Sequence, residues 1–220
     1  GHCYLVAYQS QSIVRKYVGE INNNDISISN LTLTNNHTDA SYDGWHLLGN
    51  PFTSAMKWND GNWTLYNIVA TAQIYNELGG NYRDVSIGGY IPRNQGFFVQ
   101  AIGGEGSITI PLESRVHNNT DWYKRSNFID TLNTLELKVS GGSNSFYDIA
   151  KVKFDSEATD DFDIDFDSHK LRGMTSAPQL FTQQGQEEFS TNVLAYHSDE
   201  KLLALSFIAG TNGSYTLETI

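Results

Sequence analysis

No apolar run in this chain goes far before Gly, Asn, Asp or Pro interrupts it, which restricts the fold to short strands joined by tight turns. The clearest instance is Gly44-Trp45-His46-Leu47-Leu48-Gly49-Asn50-Pro51-Phe52. It returns in a second form as Gly89-Tyr90-Ile91-Pro92-Arg93-Asn94-Gln95-Gly96-Phe97-Phe98-Val99-Gln100-Ala101. Gly permits positive φ, Asn bonds its own backbone and Pro fixes φ, so each stretch reads as a short strand bounded by a defined turn. Both are expected to be central strands of one β-domain.

The strand order follows from the same signals. Strands are expected at 3–8, Val14 to Ile21 and Ile26 to Leu33, with Asn22-Asn23-Asn24-Asp25 as a turn. Thr53 to Trp58 reads as one helical turn. Strands then follow near Trp63 to Tyr66, Thr71 to Tyr75, Tyr82 to Val85, Gly89 to Ala101 and Ser107 to Leu112. The polar stretch Glu113 to Asn127 reads as a surface connection. Beyond it, Leu135, Leu137 and Val139 alternate with Glu136 and Lys138 as in a half-buried strand, and further strands are expected at Tyr147 to Phe154, Gln179 to Thr182, Glu188 to Val193, Leu202 to Ile208 and Ser214 to Thr219. The expected fold is all-β, with two packed antiparallel β-sandwich-like domains of jelly-roll or Ig-like type. The first spans 1–112, the connection 113–127 and the second 128–220.

Charge and cysteine content exclude several classes. Lys and Arg number 14 against 25 Asp and Glu, a formal charge of −11, so the chain lacks the basic footprint a nucleic-acid partner requires. Cys3 is the only cysteine, so neither an intrachain disulfide nor a thiolate metal site can form. No apolar stretch is long enough to span a membrane as a helix. A chain that starts without Met or a leader is expected either to begin after processing or to be part of a longer one.

The order and spacing of several segments carry a resemblance that covers almost the whole chain. These are Tyr4-Leu5-Val6-Ala7-Tyr8, the Gly44 to Phe52 and Ile91 to Val99 stretches, Arg115-Val116-His117, Ala158-Thr159-Asp160-Asp161-Phe162-Asp163 and Lys170-Leu171. Together they resemble the β-rich region that precedes the sorting domain in large Bacteroidota proteins exported by the type IX secretion system. The resemblance implies an extracellular or outer-cell-surface location, next to a C-terminal secretion and anchoring domain and behind catalytic or adhesive modules. The sorting domain itself is not in these residues. The shared motifs look architectural, with Trp45 and Phe97 as core.

Candidate chemistry is sparse. Asp163, Asp165 and Asp167 alternate with Ile164 and Phe166. In a strand that places three carboxylates on one face about 6–7 Å apart, a spacing suited to a hard cation. Calcium is thus the one cofactor class the sequence nominates, beside the alternative of a solvated acidic loop. The pattern is not an EF-hand, because the sixth and twelfth positions hold Ser168 and Met174. The six histidines, His2, His37, His46, His117, His169 and His197, form no HxH or HxxxH pair, and no GxSxG occurs. No acid pair is nominated for glycoside hydrolysis. The chain is therefore read as non-catalytic.

Aromatic residues suggest a sugar platform. Trp58 and Trp63 flank Asn59-Asp60-Gly61-Asn62, with Tyr66 close by, and an exposed aromatic plane beside Asn59 and Asp60 is what a carbohydrate surface needs. Packing of the same aromatics into a β-core is the alternative. Thr131, in Asp130-Thr131-Leu132, resembles the O-glycosylation site of Bacteroidota exported proteins. The Asn-X-Ser/Thr triplets at Asn30, Asn36, Asn62, Asn118 and Asn212 follow from the Asn- and Thr-rich composition. The sequence thus leads to an extracellular stalk, spacer or adhesin module of a larger secreted or surface-anchored bacterial protein. The alternatives are a carbohydrate-binding module beside a polysaccharide-degrading enzyme and a self-assembling fibre subunit. Its expected partners are polysaccharide, further copies of itself, or the rest of the parent protein.

Overall fold

The computed structural model describes residues 18–34, 42–117, 133–196 and 200–220, and is all-β. Among the described residues seventeen strands form four sheets, with a short 3-10 turn at Leu112–Ser114. No helix among them is long and apolar enough to cross a membrane.

The first unit holds ten strands: β1 (Ile26–Thr32), β2 (Trp45–Gly49), β3 (Ala55–Lys57), β4 (Thr64–Tyr66), β5 (Ala72–Asn76), β6 (Asn81–Val85), β7 (Tyr90–Ile91), β8 (Gly96–Gln100), β9 (Glu105–Ile110) and β10 (Arg115–Val116). They pair in the orders β2-β8-β5-β6, β1-β9-β4 and β10-β3-β7. One apolar core lies between these sheets, built from Leu48, Met56, Trp58, Ile91, Phe97, Val99, Ile108 and Ile110 among others. Period-two alternation drives this: in β8, Phe97 and Val99 are fully buried on the core side.

The two related stretches, both expected as central strands, pair with each other, with β8 inside the sheet and β2 at its end among the described residues. β2 and β8 pair antiparallel from Trp45↔Gln100 to Gly49↔Gly96. At the end of that ladder Asn50 acts as a clip: its amide nitrogen reaches the carbonyls of Ser54, Ile91 and Pro92 at 2.9, 3.2 and 2.9 Å, and its Oδ1 accepts from the Phe52 N–H at 2.9 Å. At the other end Gly44 sits at φ +74°, and a Cβ there would lie 2.1 Å from the Ala101 carbonyl oxygen. Only glycine satisfies both conditions.

The second unit holds β11 (Thr134–Gly141), β12 (Tyr147–Asp155), β13 (Ser168–His169), β14 (Gln179–Gln184), β15 (Glu187–Ala195), β16 (Ala204–Ile208) and β17 (Tyr215–Thr219). Their order is β16-β14-β15-β12-β11-β17, with β13 added on β15. β15 serves two layers. Its first residues pair antiparallel with β14, and its last five pair parallel with β12. The layer of β14 and β16 thereby folds over β12 and β11, and Leu180 packs with Val139 and Ala150. The β12–β15 pair is a parallel element that hairpin signals alone do not disclose.

Several local expectations are corrected. Residues 18–21 form no strand, and Val18 is 97% exposed, so the apolar residues of Val14 to Ile21 have no sheet to enter over that part. Thr53 to Trp58 is not a helical turn, because Ala55–Lys57 is pulled into pairing with both β7 and β10. Gly89 to Ala101 is two strands, since Pro92 to Gln95 form a turn with Asn94 at φ 59°. Arg115–Val116, within the expected connection, belongs to the first unit through β3. The expected strand at 3–8 lies outside the described residues.

Gly44→Ala is expected to lower stability by about 2–4 kcal/mol through backbone strain and the clash with Ala101, read as a fall in the urea midpoint at unchanged slope.

Candidate functional site

On the face of the β2-β8-β5-β6 sheet that points away from the first core, the second unit buries Gln73 and Gln100, while Tyr75, Tyr82, Asp84 and Phe98 remain half-buried. Alternation sends Ala72 and Ile74 of β5 into the core and Gln73 to the other side, in register with Asp84 of β6. There the hydroxyls of Ser168, Ser190 and Thr191 donate to the Asp84 carboxylate at 3.0, 2.9 and 2.5 Å. The Gln73 amide donates to the His169 carbonyl at 2.8 Å and to Ser168 Oγ at 3.0 Å. Gln73 Oε1 is buried without a partner among the described residues.

His169 forms the next part of this seam. Its Nδ1 lies 2.8 Å from Oε1 of Gln100 on β8, and its Nε2 faces Glu187 at 3.6 Å. Phe162 stacks on the ring at 4.4 Å and 17°, and Phe189 lies on it at 5.2 Å. Burial pushes the imidazole below its ordinary value, and Glu187 opposes that shift.

At the far end of β6, Asn81 donates from Nδ2 to the Tyr147 carbonyl at 2.7 Å and to Asp148 Oδ1 at 2.6 Å. Asp148 Oδ2 accepts from Lys170 Nζ at 2.5 Å and from the Leu180 N–H at 2.6 Å. Asn81, Asp148 and Lys170 are 2%, 2% and 1% exposed. Burial raises the Asp148 carboxyl above the usual range, while Lys170 and the donated hydrogen bonds pull it back.

The expected sugar platform is not assembled. Trp58 is fully buried and Trp63 is 8% exposed. Their rings pack 4.9 Å apart, Trp58 meets Phe97 at 5.7 Å, and the indole nitrogens donate to the carbonyls of Ala70 and Lys57. The turn between them, with Asn59 at φ 42° and Gly61 at φ 97°, folds both side chains inward. Tyr66 is 62% exposed on β4 but has neither Trp beside it as a surface, and Asn59 and Asp60 are half-buried.

The acidic run is likewise not a strand. Residues 156–167 form a loop that docks on the first unit through the Ile164 carbonyl, which accepts from the Ala70 N–H at 2.9 Å. Asp163 caps Thr159, accepting its N–H at 2.6 Å and its hydroxyl at 3.0 Å. Asp167 is buried and accepts the N–H groups of Asp163 and Val193, each at 2.7 Å, whereas Asp165 is exposed. The three carboxylates thus point to separate places, and among the described residues no three acidic, His or Cys side chains converge on one point. An open depression of about 480 Å³, lined by Asp160, Asp161, Phe162 and Glu187 among others, lies beside this loop. Thr131 falls outside the described residues.

Sequence reasoning missed the seam. One signal for it was present: Asp148, Ala150 and Val152 share the buried phase of β12, and a carboxylate in an apolar phase needs a dedicated partner. No protein-family model, curated protein or solved structure matches this chain.

Burial raises Asp167 from 3.8 to about 6, with the charges of Asp163 and Glu187 adding to the shift and its two backbone hydrogen bonds opposing it. A carboxyl whose folded value is raised contributes stability that is full below its unfolded value and lost as pH rises through the folded one. The stability difference between wild type and Asp167→Asn, followed by urea titration, is therefore expected to shift against the wild type between pH 3.8 and about 6 and to level off above. A difference that stays flat across that window contradicts the assignment.

Proposed function

We propose that this chain is a non-catalytic stalk or spacer module of a larger secreted or surface-anchored bacterial protein. The observation that carries the reading is the buried seam between the two units. Asp84 with Ser168, Ser190 and Thr191, Gln73 with His169, and Asn81 with Asp148 lock two consecutive β-units into one body. A spacer has to hold what lies at its two ends at a fixed separation, and a desolvated, directional interface provides that where a linker does not. The extracellular setting and the type IX export route rest on the resemblance described above and on the acidic, disulfide-free composition. The carbohydrate-binding alternative relied on Trp58 and Trp63, which are core, and is not carried further.

Self-assembly is a second reading with its own support. β16 and β17 are the outer strands of the second sheet, and their residues Leu205, Phe207 and Leu217 are 39%, 45% and 52% exposed. By register, Phe207 shares a face with buried Leu180, and Leu217 with buried Val139. Among the described residues the inner apolar face thus runs out to edges with no further strand, the geometry that strand addition from a second copy completes.

Calorimetry is expected to show one transition for both units. Asp84→Ala, which removes the carboxylate that the Ser168, Ser190 and Thr191 hydroxyls share, is expected to cost about 2–3 kcal/mol and to split that transition in two. Two separate transitions in the wild type would remove the rigid-spacer reading. For self-assembly, light scattering is expected to show mass rising with concentration, and the double variant Phe207→Glu, Leu217→Glu is expected to stay monomeric. A wild type that is monomeric throughout rejects the second reading only.

A further inference from the structure

The triad Asn81, Asp148 and Lys170 holds an amine, a carboxyl and a carboxamide in one site closed to water. The carboxyl stands between the other two, with Lys170 Nζ on Oδ2 at 2.5 Å and Asn81 Nδ2 on Oδ1 at 2.6 Å. The donor count is telling. An ammonium has three protons to place, yet Asp148 is the one acceptor Lys170 Nζ has among the described residues. Leaving donors of a buried charged group unmet is costly. A secondary amide nitrogen at the same place has a single N–H, and Asp148 satisfies it completely.

We propose that Lys170 and Asn81 form an intramolecular isopeptide bond, with Asp148 moving the protons. Asp148 first takes a proton from the Lys170 ammonium, leaving a neutral amine beside a neutral acid. The Nζ lone pair attacks Cγ of Asn81, and the Nζ–Cγ bond forms. The acid hands its proton to the departing Nδ2 as Nζ gives one up to the carboxylate. The Cγ–Nδ2 bond breaks, ammonia leaves, and Asp148 ends as the neutral acid. Five protons enter on the ammonium and the carboxamide, and five leave, one on the new amide, one on Asp148 and three on ammonia. No oxidant, cofactor or second protein is consumed. Asp148 holds nucleophile and electrophile on its two oxygens in one buried site and serves both as the shared acid–base group. Burial, which pushes the Asp148 carboxyl up, stabilises both the starting neutral pair and the final acid.

The bond has a structural consequence. Asn81 opens β6 in the first unit and Lys170 follows β13 in the second, so the two units become covalently joined at their seam. This inference does not depend on the spacer reading, since the same bond would staple the units whatever the parent protein does.

Intact mass of the purified wild-type chain under denaturing conditions tests it directly, with no variant that has to fold. The expected mass is that of the sequence less one ammonia. Proteolysis is expected to release a branched peptide joining the segments that carry Asn81 and Lys170, and Asp148→Ala and Lys170→Arg are each expected to restore the full mass. The unshortened mass in the wild type overturns the proposal and leaves an ordinary buried ion pair. A loss of one water with a branch between Asp148 and Lys170 overturns the assigned partner, and a loss of ammonia without the Asn81–Lys170 branch overturns the bond itself.

Discussion

A carboxylate drawn out of water has to be met by donors held in place, and the way the two units meet is governed by two carboxylates, half-buried Asp84 and fully buried Asp148. Uncompensated, Asp148 would cost several kcal/mol. Asp84 receives three hydroxyls from the second unit, and Asp148 receives an amide from the first, an amine and a backbone N–H. Sliding one unit on the other by a single residue would strand these groups, so the seam has one register. The parallel β12–β15 pairing follows from it, because β15 must present Ser190 and Thr191 to Asp84 while extending the β12 edge.

The first unit relies on a different economy. Its strands are short, and Trp58, Trp63 and Phe97 supply apolar volume that small sheets cannot draw from long strands. Each indole N–H finds a carbonyl, so the aromatic cluster carries no polar debt at either nitrogen. Asn50 has the same role for loops, binding carbonyls from two turns so that the chain leaves β2 and enters β8 at fixed angles. The acidic loop is held the same way, with Asp163 and Asp167 folded onto backbone N–H groups.

The sequence by itself determined the class and most of the strands. Alternation in Thr134 to Val139 and in Phe97 to Val99, and the Gly, Asn and Pro that bound them, are local signals, and they give the all-β class. Phe97 is core as expected, whereas Trp45, expected to be core with it, is only half-buried. Partner identity was not legible, because burial and charge pairing are properties of residues far apart in the chain. Trp58 and Trp63 look alike whether a turn folds them in or out. Asp163 to Asp167 look like a ligand stripe only while the backbone is taken as extended. Asn81, Asp148 and Lys170 carry no shared motif, and only the tertiary structure closed the separation of 67 positions from Asn81 to Asp148 into one hydrogen bond.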